Sequence, residues 1–271
     1  MRYLPLVLAA ALLLALPSAA QRRIRVATAL QPQAQFELPL TGDDYVFGAF
    51  NLQHLRNQFA GTPTFPVQSL RLGYEHFISS SWSWGATLHG TRVEDVYRFG
   101  VPDDAAYVLT PEVFGRHWNT FGSVNFRQRL GLLYPVDLDE TGSSRLAASL
   151  RLDVDQVFPL GGGSLALRPR VAVEPIAYVR FQRDETEVKE PFLDFSQLRG
   201  EVGVRLSPRF DFTPWFAWQN SYFTSLPQFD MNGNVTIPSR TIRYAQPVVG
   251  LDMRMTLGSS APERRQLPTH Y

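Results

Sequence analysis

One stretch of the chain alternates apolar and charged residues on both sides of a glycine run, and it strongly constrains the fold. The segment is Ser144–Glu174, and Gly161–Gly163 reverses it midway. Side chains on a β-strand point to opposite faces with a period of two, so the pattern predicts a hairpin with one apolar and one charged face. Pro169 and Pro175 each remove a ladder hydrogen bond, and we expect a bulge or local break there. The residues of the apolar face are Leu146, Ala148, Leu150, Leu152, Val154, Leu165, Leu167, Val171 and Val173.

The first twenty residues have the form of a secretory signal peptide. Arg2 supplies a short basic region, an apolar run covers Leu4–Leu16, and small residues precede Gln21. We expect cleavage near Ala20, because the run is shorter than the ~20 residues that a spanning helix needs. The chain has no cysteine, which excludes disulfides, thiolate metal sites and an acylated N-terminal cysteine.

Charge and composition narrow the possible functions. The formal net charge is +1 and no basic cluster is interleaved with aromatic residues, so nucleic acid is not an expected partner. No nucleotide-binding glycine motif is present, and no cofactor is expected. After the signal peptide, no apolar run reaches the length of a spanning helix. If the protein enters a membrane, it must therefore do so as a closed β-barrel, which satisfies every backbone hydrogen bond internally.

Short and long connections alternate along the chain from Tyr45 onward. The pattern predicts about ten strands, with short turns at one end and long loops at the other, as in outer-membrane barrels of even strand number. The short connections are predicted at Ser79–Ser81, His117–Asn119, Gly161–Gly163 and Ser207–Arg209. The long ones are predicted at Asn57–Val67, Phe99–Asp104, Asp137–Ser143, Gln182–Pro191 and Ser225–Ser239.

Charged residues recur in mid-strand on the face opposite the apolar one. In a β-sandwich they would form the solvated outer surface. In a barrel they would point inward, and they would either line a pore or form a plug of ion pairs. These predicted lumen residues are Arg71, Glu75, Glu112, Arg116, Arg127, Arg129, Arg151, Asp153, Arg168, Arg170, Glu174, Arg199, Glu201, Arg205, Asp252 and Arg254.

Strand length and aromatic placement favour the barrel. The strands exceed the mean of ~5–6 residues in soluble proteins and suit the ~9–11 that cross a bilayer at a tilt. Aromatic residues gather near strand ends, as interfacial girdles do, for example at Tyr45/Phe47, Phe77/Trp82/Trp84, Trp118/Phe121 and Phe210/Phe212/Trp215/Phe216. The predicted fold is all-β, an antiparallel up-and-down transmembrane β-barrel of about ten strands, within a range of roughly 8–12. It covers residues 45–257, after a signal peptide (1–20) and an extended lead-in (21–44) and before a polar tail (258–271).

The signal peptide, the turn–loop asymmetry and strands such as QSLRLGYEHF and QLRGEVGVRL resemble those of small bacterial outer-membrane β-barrel proteins. The resemblance covers most of the mature chain, and no motif identifies a subfamily. It implies an outer-membrane location, contact with membrane lipid or lipopolysaccharide, and insertion by the barrel-assembly machinery. One departure is the end of the chain. Such barrels commonly finish on a strand with a terminal aromatic residue, whereas here the last strand ends near Leu257 and a tail follows to Tyr271.

The expected role is structural, or passage of small solutes through a narrow charged lumen that slightly prefers anions. The alternatives are an outer-membrane hydrolase and a soluble periplasmic β-sandwich. The histidines available to a hydrolase are His54, His76, His89, His117 and His270. Glu75 and His76 are neighbours on a strand and face opposite sides, so they cannot form a dyad without a bulge. His89 shares a face with Thr87 and Thr91, but the sequence identifies no carboxylate partner for it.

No catalytic signature matches, and no catalytic residue is expected. Asp230–Asn234 resembles the start of a calcium-binding loop but lacks the closing glutamate, and a hairpin tip explains the segment better. Acidic loop residues that could bind divalent cations are Asp137, Asp139, Glu140, Asp184, Glu185, Glu187 and Glu190, although solvated loop tips are the default and no metal site is expected.

Overall fold

The protein is built from β-strands. A computed structural model describes residues 22–40, 44–55, 67–93, 106–138, 145–161, 165–179, 192–225, 227–231, 235–237 and 240–258, which contain no helix. The strands are β1 Arg22–Arg25, β2 Ala29–Pro39, β3 Tyr45–Leu55, β4 Val67–Phe77, β5 Trp82–Val93, β6 Ala106–Phe121, β7 Val124–Leu133, β8 Val136–Asp137, β9 Ala147–Gln156, β10 Phe158–Pro159, β11 Ala166–Tyr178, β12 Leu193–Ser207, β13 Phe210–Ser225, β14 Gln228–Phe229, β15 Val235–Ile237 and β16 Arg240–Thr256. In these ranges no helix is long and apolar enough to cross a membrane. The predicted signal peptide and residues 259–271 of the tail lie outside them.

Eleven strands form one closed barrel in the order β2, β3, β4, β5, β6, β7, β9, β11, β12, β13 and β16. Each pairs with its neighbour in antiparallel fashion, but β16 returns to β2 as a parallel pair, from Val248↔Ala29 to Thr256↔Glu37. An odd number of up-and-down strands leaves the first and last pointing the same way, so closure must be parallel. The predicted all-β barrel is confirmed, whereas the expectation of an even number of purely antiparallel strands is wrong.

The closing strand lies in the segment that the sequence indicated as an extended lead-in. β2 contains Pro32 and Pro39, which argue against a central strand. The β2–β3 ladder passes from the pair Leu30↔His54 to Gln33↔Asn51, so the ladder is interrupted where Pro32 lacks its N–H. β1 precedes β2 and pairs in parallel with the first part of β16. The barrel wall therefore begins well before Tyr45.

The predicted sorting of connections by length is present. Residues 40–44, 78–81, 122–123, 157–165 and 208–209 connect strands at one end, which we call the short-turn end. The connections at the opposite, long-loop end are 56–66, 94–105, 134–146, 179–192 and 226–239. One predicted turn is wrong. His117–Asn119 lies inside β6, and the chain reverses at Gly122, whose φ of 63° is accessible to glycine at little cost.

The prolines of the Ser144–Glu174 hairpin are accommodated differently. Pro175 adjoins an irregularity, since the β9–β11 ladder passes from Val173↔Leu152 to Ile176↔Ser149, and a register shift with β12 follows. Pro169 lies at the end of the β9–β11 ladder, whose last pair in that direction is Arg170↔Asp155, while its pairing with Val202 on β12 continues. The β9–β11 ladder is therefore interrupted at Pro175 and ends beside Pro169.

The two faces of the barrel wall have opposite character. Charged side chains of alternating residues point inward and are buried, as with Arg151, Asp153 and Asp155 on β9. Apolar side chains point outward and are exposed, as with Leu150 and Val154 on the same strand. The β-sandwich alternative is wrong, because the sheet closes on itself and its charged face forms the interior instead of a solvated surface.

The sequence predicted that several aromatic residues lie in outer girdles, but the structure places some of them inside the barrel. Phe47 covers Gly73, Phe114 covers Gly85, and Trp215 covers Gly250, because a glycine leaves room for a ring to lie flat on the neighbouring strand. Tyr45, Phe47, Phe77 and Trp118 pack together near the short-turn end. The large aromatic residues that do point outward and are exposed include Trp82, Trp84, Phe121 and Phe216.

Candidate functional site

Every charged residue predicted to face the lumen lies on the inward face of its strand. The structure also places Glu37, Asp155 and Asp211 there, all three buried. Sequence reasoning missed Glu37 because it belongs to the proline-containing β2. Asp155 and Asp211 lie at strand ends. Their alternation with the inward-facing Asp153 and Thr213 would have predicted that they also point inward. Arginines and carboxylates in the interior are close to balance, so the slight anion preference expected from an arginine excess loses its basis.

A first group of contacts, the Glu75 cluster, lies near the short-turn end. Nη1 of Arg116 donates to the two carboxylate oxygens of Glu75 at 2.9 and 2.8 Å. The hydroxyl of Tyr45 donates to the same carboxylate at 2.5 Å, and Ser83 donates a further hydrogen bond. The Arg116 guanidinium lies 5.7 Å from the Trp118 ring. Glu75 is 0% exposed, so its charge is compensated entirely by these donors.

A second group, the Asp252 cluster, joins β12, β13 and β16. Arg199 donates through Nε to Glu201 at 2.6 Å and through Nη2 to Asp252 at 2.5 Å. Its guanidinium lies 4.0 Å from the ring of Trp215, whose Nε1 donates to Asp252 at 2.7 Å. Arg170 forms an ion pair with the other oxygen of Glu201. Each carboxylate therefore has at least two donors, as buried charges require.

Further ion pairs occupy the space between these clusters. Arg151 contacts Asp153 at 3.1 Å and Glu174 at 3.2 Å, bringing β9 and β11 together. Arg129 contacts Glu112 at 2.8 Å, between β6 and β7. The remaining described pairs are Arg127–Asp155, Arg205–Asp211, Arg254–Asp211 and Arg254–Glu37, while the half-buried Arg71 and the buried Arg168 lie on the same inward face.

Large side chains occupy the interior over the levels of these ion pairs. Arg116, Arg151 and Arg199 are among the largest side chains that are almost fully buried in the described part of the chain. Side chains fill the interior of barrels of roughly eight strands, whereas about 16 strands leave a channel, so eleven strands lie between these two cases. Buried ion pairs add little net stability over apolar packing, but removing one partner leaves an uncompensated charge and is costly. The arrangement is thus a network of mutually dependent charges.

The histidines are dispersed. His76 points outward and is 41% exposed in its side chain, and its Nδ1 lies 2.8 Å from Oδ2 of Asp44. Glu75 points inward, so the two neighbours face opposite sides as predicted. His117 lies within β6, 2.7 Å from Oε1 of Gln128, and not in a turn. His89 faces the interior, 3.4 Å from the hydroxyl of Thr91. His270 lies outside the described residues.

Asp44 collects hydrogen bonds at the short-turn end. Besides His76, it accepts from the Tyr74 hydroxyl at 2.9 Å and from the Phe77 N–H at 3.1 Å. Burial alone would raise the pKa of the Asp44 carboxyl, but the hydrogen bonds, led by that from His76, outweigh burial and hold the pKa below its ordinary value. This group resembles a structural clamp between the β2–β3 turn and β4 more than a hydrolytic site.

No metal site is present among the described residues, in which no group of three or more histidine, aspartate or glutamate side chains is arranged to hold an ion. Of the acidic loop residues named from the sequence, Asp137 pairs with Val108 through β8. Asp139, Glu140 and residues 184–190 lie outside the described ranges. Comparisons of the chain with protein-family models, with curated proteins and with solved structures found no match.

Proposed function

We propose that this protein is an outer-membrane β-barrel that spans the bilayer with a filled interior and serves a structural role, without a conducting pore. The observation that carries the proposal is the inversion of the wall, with apolar side chains outside and paired charges inside. A soluble barrel has the opposite arrangement, since burial of apolar surface is the main force that folds proteins in water.

The outward face supports insertion into lipid. Large apolar residues are exposed on every long strand of the wall, among them Leu72 on β4, Val113 on β6, Leu130 on β7 and Leu198 on β12. Soluble monomers rarely expose a contiguous apolar patch of more than a few hundred Å². The barrel strands have between 10 and 17 residues, enough for the ~9–11 that cross a bilayer at a tilt.

The inward face supports a plug. A water-filled pore needs charged residues that reach solvent, whereas the arginines of the Glu75 and Asp252 clusters are buried and paired with carboxylates. The wall would then hold its shape through charge pairing across the lumen. Passage of small solutes, the alternative role, requires these pairs to separate.

Membrane fractionation combined with boiled and unboiled electrophoresis tests the location. We expect the full chain in the outer-membrane fraction, with a mobility that changes on boiling. A protein that is found in the soluble fraction and has the same mobility before and after boiling would contradict the proposal.

Planar-bilayer recording tests the plug. The folded protein should give no conductance steps, and the double variant Glu75→Ala/Arg116→Ala, which removes two large side chains from the lumen, is the matched positive control. Regular conductance steps from the wild type at neutral pH would show that the interior is open, and they would favour the solute-passage role.

A charge placed on the outer wall tests lipid contact directly. Leu130 is 59% exposed near the middle of β7, and Phe121 is 67% exposed at the short-turn end. In a bilayer, Leu130→Arg should cost about 2–4 kcal/mol and Phe121→Arg about 0–1 kcal/mol, because the penalty depends on depth. The free energy of unfolding in phospholipid vesicles measures both. Equal, small effects would mean that the wall faces water.

A further inference from the structure

A group of arginines lies on the outer wall at the long-loop end, where β1 pairs with β16. Arg23 and Arg243 are register partners on these parallel strands, and both point outward. Arg25 follows on the same face of β1 and is exposed. Like charges side by side on adjacent strands are destabilising. None of the three has an ion-pair partner in the part of the chain that the structure describes.

Two of these guanidinium groups are held in place by neighbours. Nε of Arg243 donates to Oδ1 of Asn220 at 2.9 Å, and Asn220, which is 7% exposed, donates in turn to the hydroxyl of Ser196 at 3.2 Å. The Arg243 guanidinium lies 5.9 Å from the Tyr222 ring, and that of Arg23 lies 5.3 Å from the Trp218 ring. The terminal nitrogens of Arg243 have no acceptor among the described residues, so they are available to a ligand.

The position of these arginines along the barrel axis indicates which part of the membrane they contact. Toward the short-turn end of β16, the outward-pointing and exposed residues are Val249, Leu251, Met253 and Met255. Counting ~11 residues from the short-turn end, the length that crosses a bilayer, places the membrane edge near Gln246 on β16. Arg243 lies just beyond that level. Aromatic residues and long basic side chains at this height are typical of a lipid–water interface.

We infer that Arg23, Arg25 and Arg243, which we call the arginine patch, bind the phosphate group of an anionic membrane lipid. The inference rests on the proposed membrane location. Guanidinium groups bind phosphate oxygens in bidentate fashion, and three of them around one anion relieve their mutual repulsion. The apolar wall directly below would contact the acyl chains of the same molecule, which favours a lipid over free phosphate or an acidic protein.

The experiment uses the full chain in nanodiscs of neutral phosphatidylcholine, to which phosphatidylglycerol, lipopolysaccharide or inorganic phosphate is added in separate arms. The readout is the temperature at which heating converts the folded protein to the mobility of the boiled form in electrophoresis. Measuring the shift of this temperature against the concentration of the added lipid or phosphate gives an affinity. We expect one or both anionic lipids to stabilise the wild type and inorganic phosphate not to. The lipid that shifts the transition identifies the source of the phosphate.

The double variant Arg23→Gln/Arg243→Gln should bind the anionic lipid about 30-fold more weakly, since each arginine near an anionic surface contributes a factor of roughly five. Arg209→Gln, which removes an exposed arginine at the short-turn end, is the matched control and should leave the affinity unchanged. If the double variant does not fold, Arg25→Gln replaces it, with an expected loss of about fivefold.

Two results would overturn the inference: unchanged lipid affinity in the folded variants, or equal stabilisation by inorganic phosphate alone. Both can occur in a protein that inserts normally, and they would leave the proposed function standing. A wild-type chain that fails to insert into any bilayer would instead overturn the proposed function, and the arginine patch with it.

Discussion

Removing the carboxylate of Glu75 should destabilise the barrel strongly, because Arg116 is buried and loses the carboxylate to which it donates two hydrogen bonds. Glu75 is 0% exposed and Arg116 is 2% exposed, and two hydrogen bonds of 2.8 and 2.9 Å join them. Breaking a buried ion pair by removing one partner costs about 3–5 kcal/mol. Glu75→Ala also leaves the hydroxyls of Tyr45 and Ser83 without their acceptor. Since domains are stable by about 5–15 kcal/mol, the variant should lose a large part of its free energy of unfolding.

A double-mutant cycle separates the ion pair from simple loss of packing. Glu75→Leu and Arg116→Met should each destabilise the protein, and the double variant should be more stable than the sum of the single effects predicts, by about 0.5–3 kcal/mol. Urea unfolding in phospholipid vesicles, followed by tryptophan fluorescence and by electrophoretic mobility, gives all four free energies. If Glu75→Ala lies within about 1 kcal/mol of the wild type, water must reach Arg116, and the filled interior is refuted.

The other predictions concern packing and pH. Gly250→Val should destabilise the barrel by about 1–3 kcal/mol through overpacking, because its Cβ would collide with the Trp215 ring. The matched control is Gly200→Val, which points outward into open space; similar losses in both would exclude the ring contact as the cause. At the short-turn end, the pKa of Asp44 is lower in the folded protein than in the unfolded chain, so its contribution should be full above the ordinary aspartate pKa of about 3.9 and be lost as pH falls below it. Asp44→Asn should flatten the acid limb of stability measured by urea unfolding between pH 2 and pH 6, and an unchanged limb would contradict the hydrogen-bond cause.

The local pattern of the sequence is sufficient to determine which way most side chains point. The period of two in β9 and β11 predicts that Arg151, Asp153 and Arg170 share a face opposite Leu150 and Val171, and they do. A register slip of one residue would turn every side chain of the strand to the opposite face. Where one face is buried, the alternation of apolar and charged residues is therefore strongly specified and can be read from a single sequence. The same reasoning predicted the short and long connections correctly, apart from the turn at Gly122.

Only the tertiary structure decided how the strands close and which charges meet. Glu75 and Arg116 are 41 residues apart, and Arg199 and Asp252 are 53 apart, so parity alone cannot pair them. The parallel closure through β2 depends on the total number of strands, which is a property of the whole chain and not of Ala29–Pro39. Whether an aromatic residue turns inward depends on a glycine across the ladder, as with Trp215 and Gly250. Local residue patterns determine the faces of each strand, and the partners across the barrel follow from closure of the sheet.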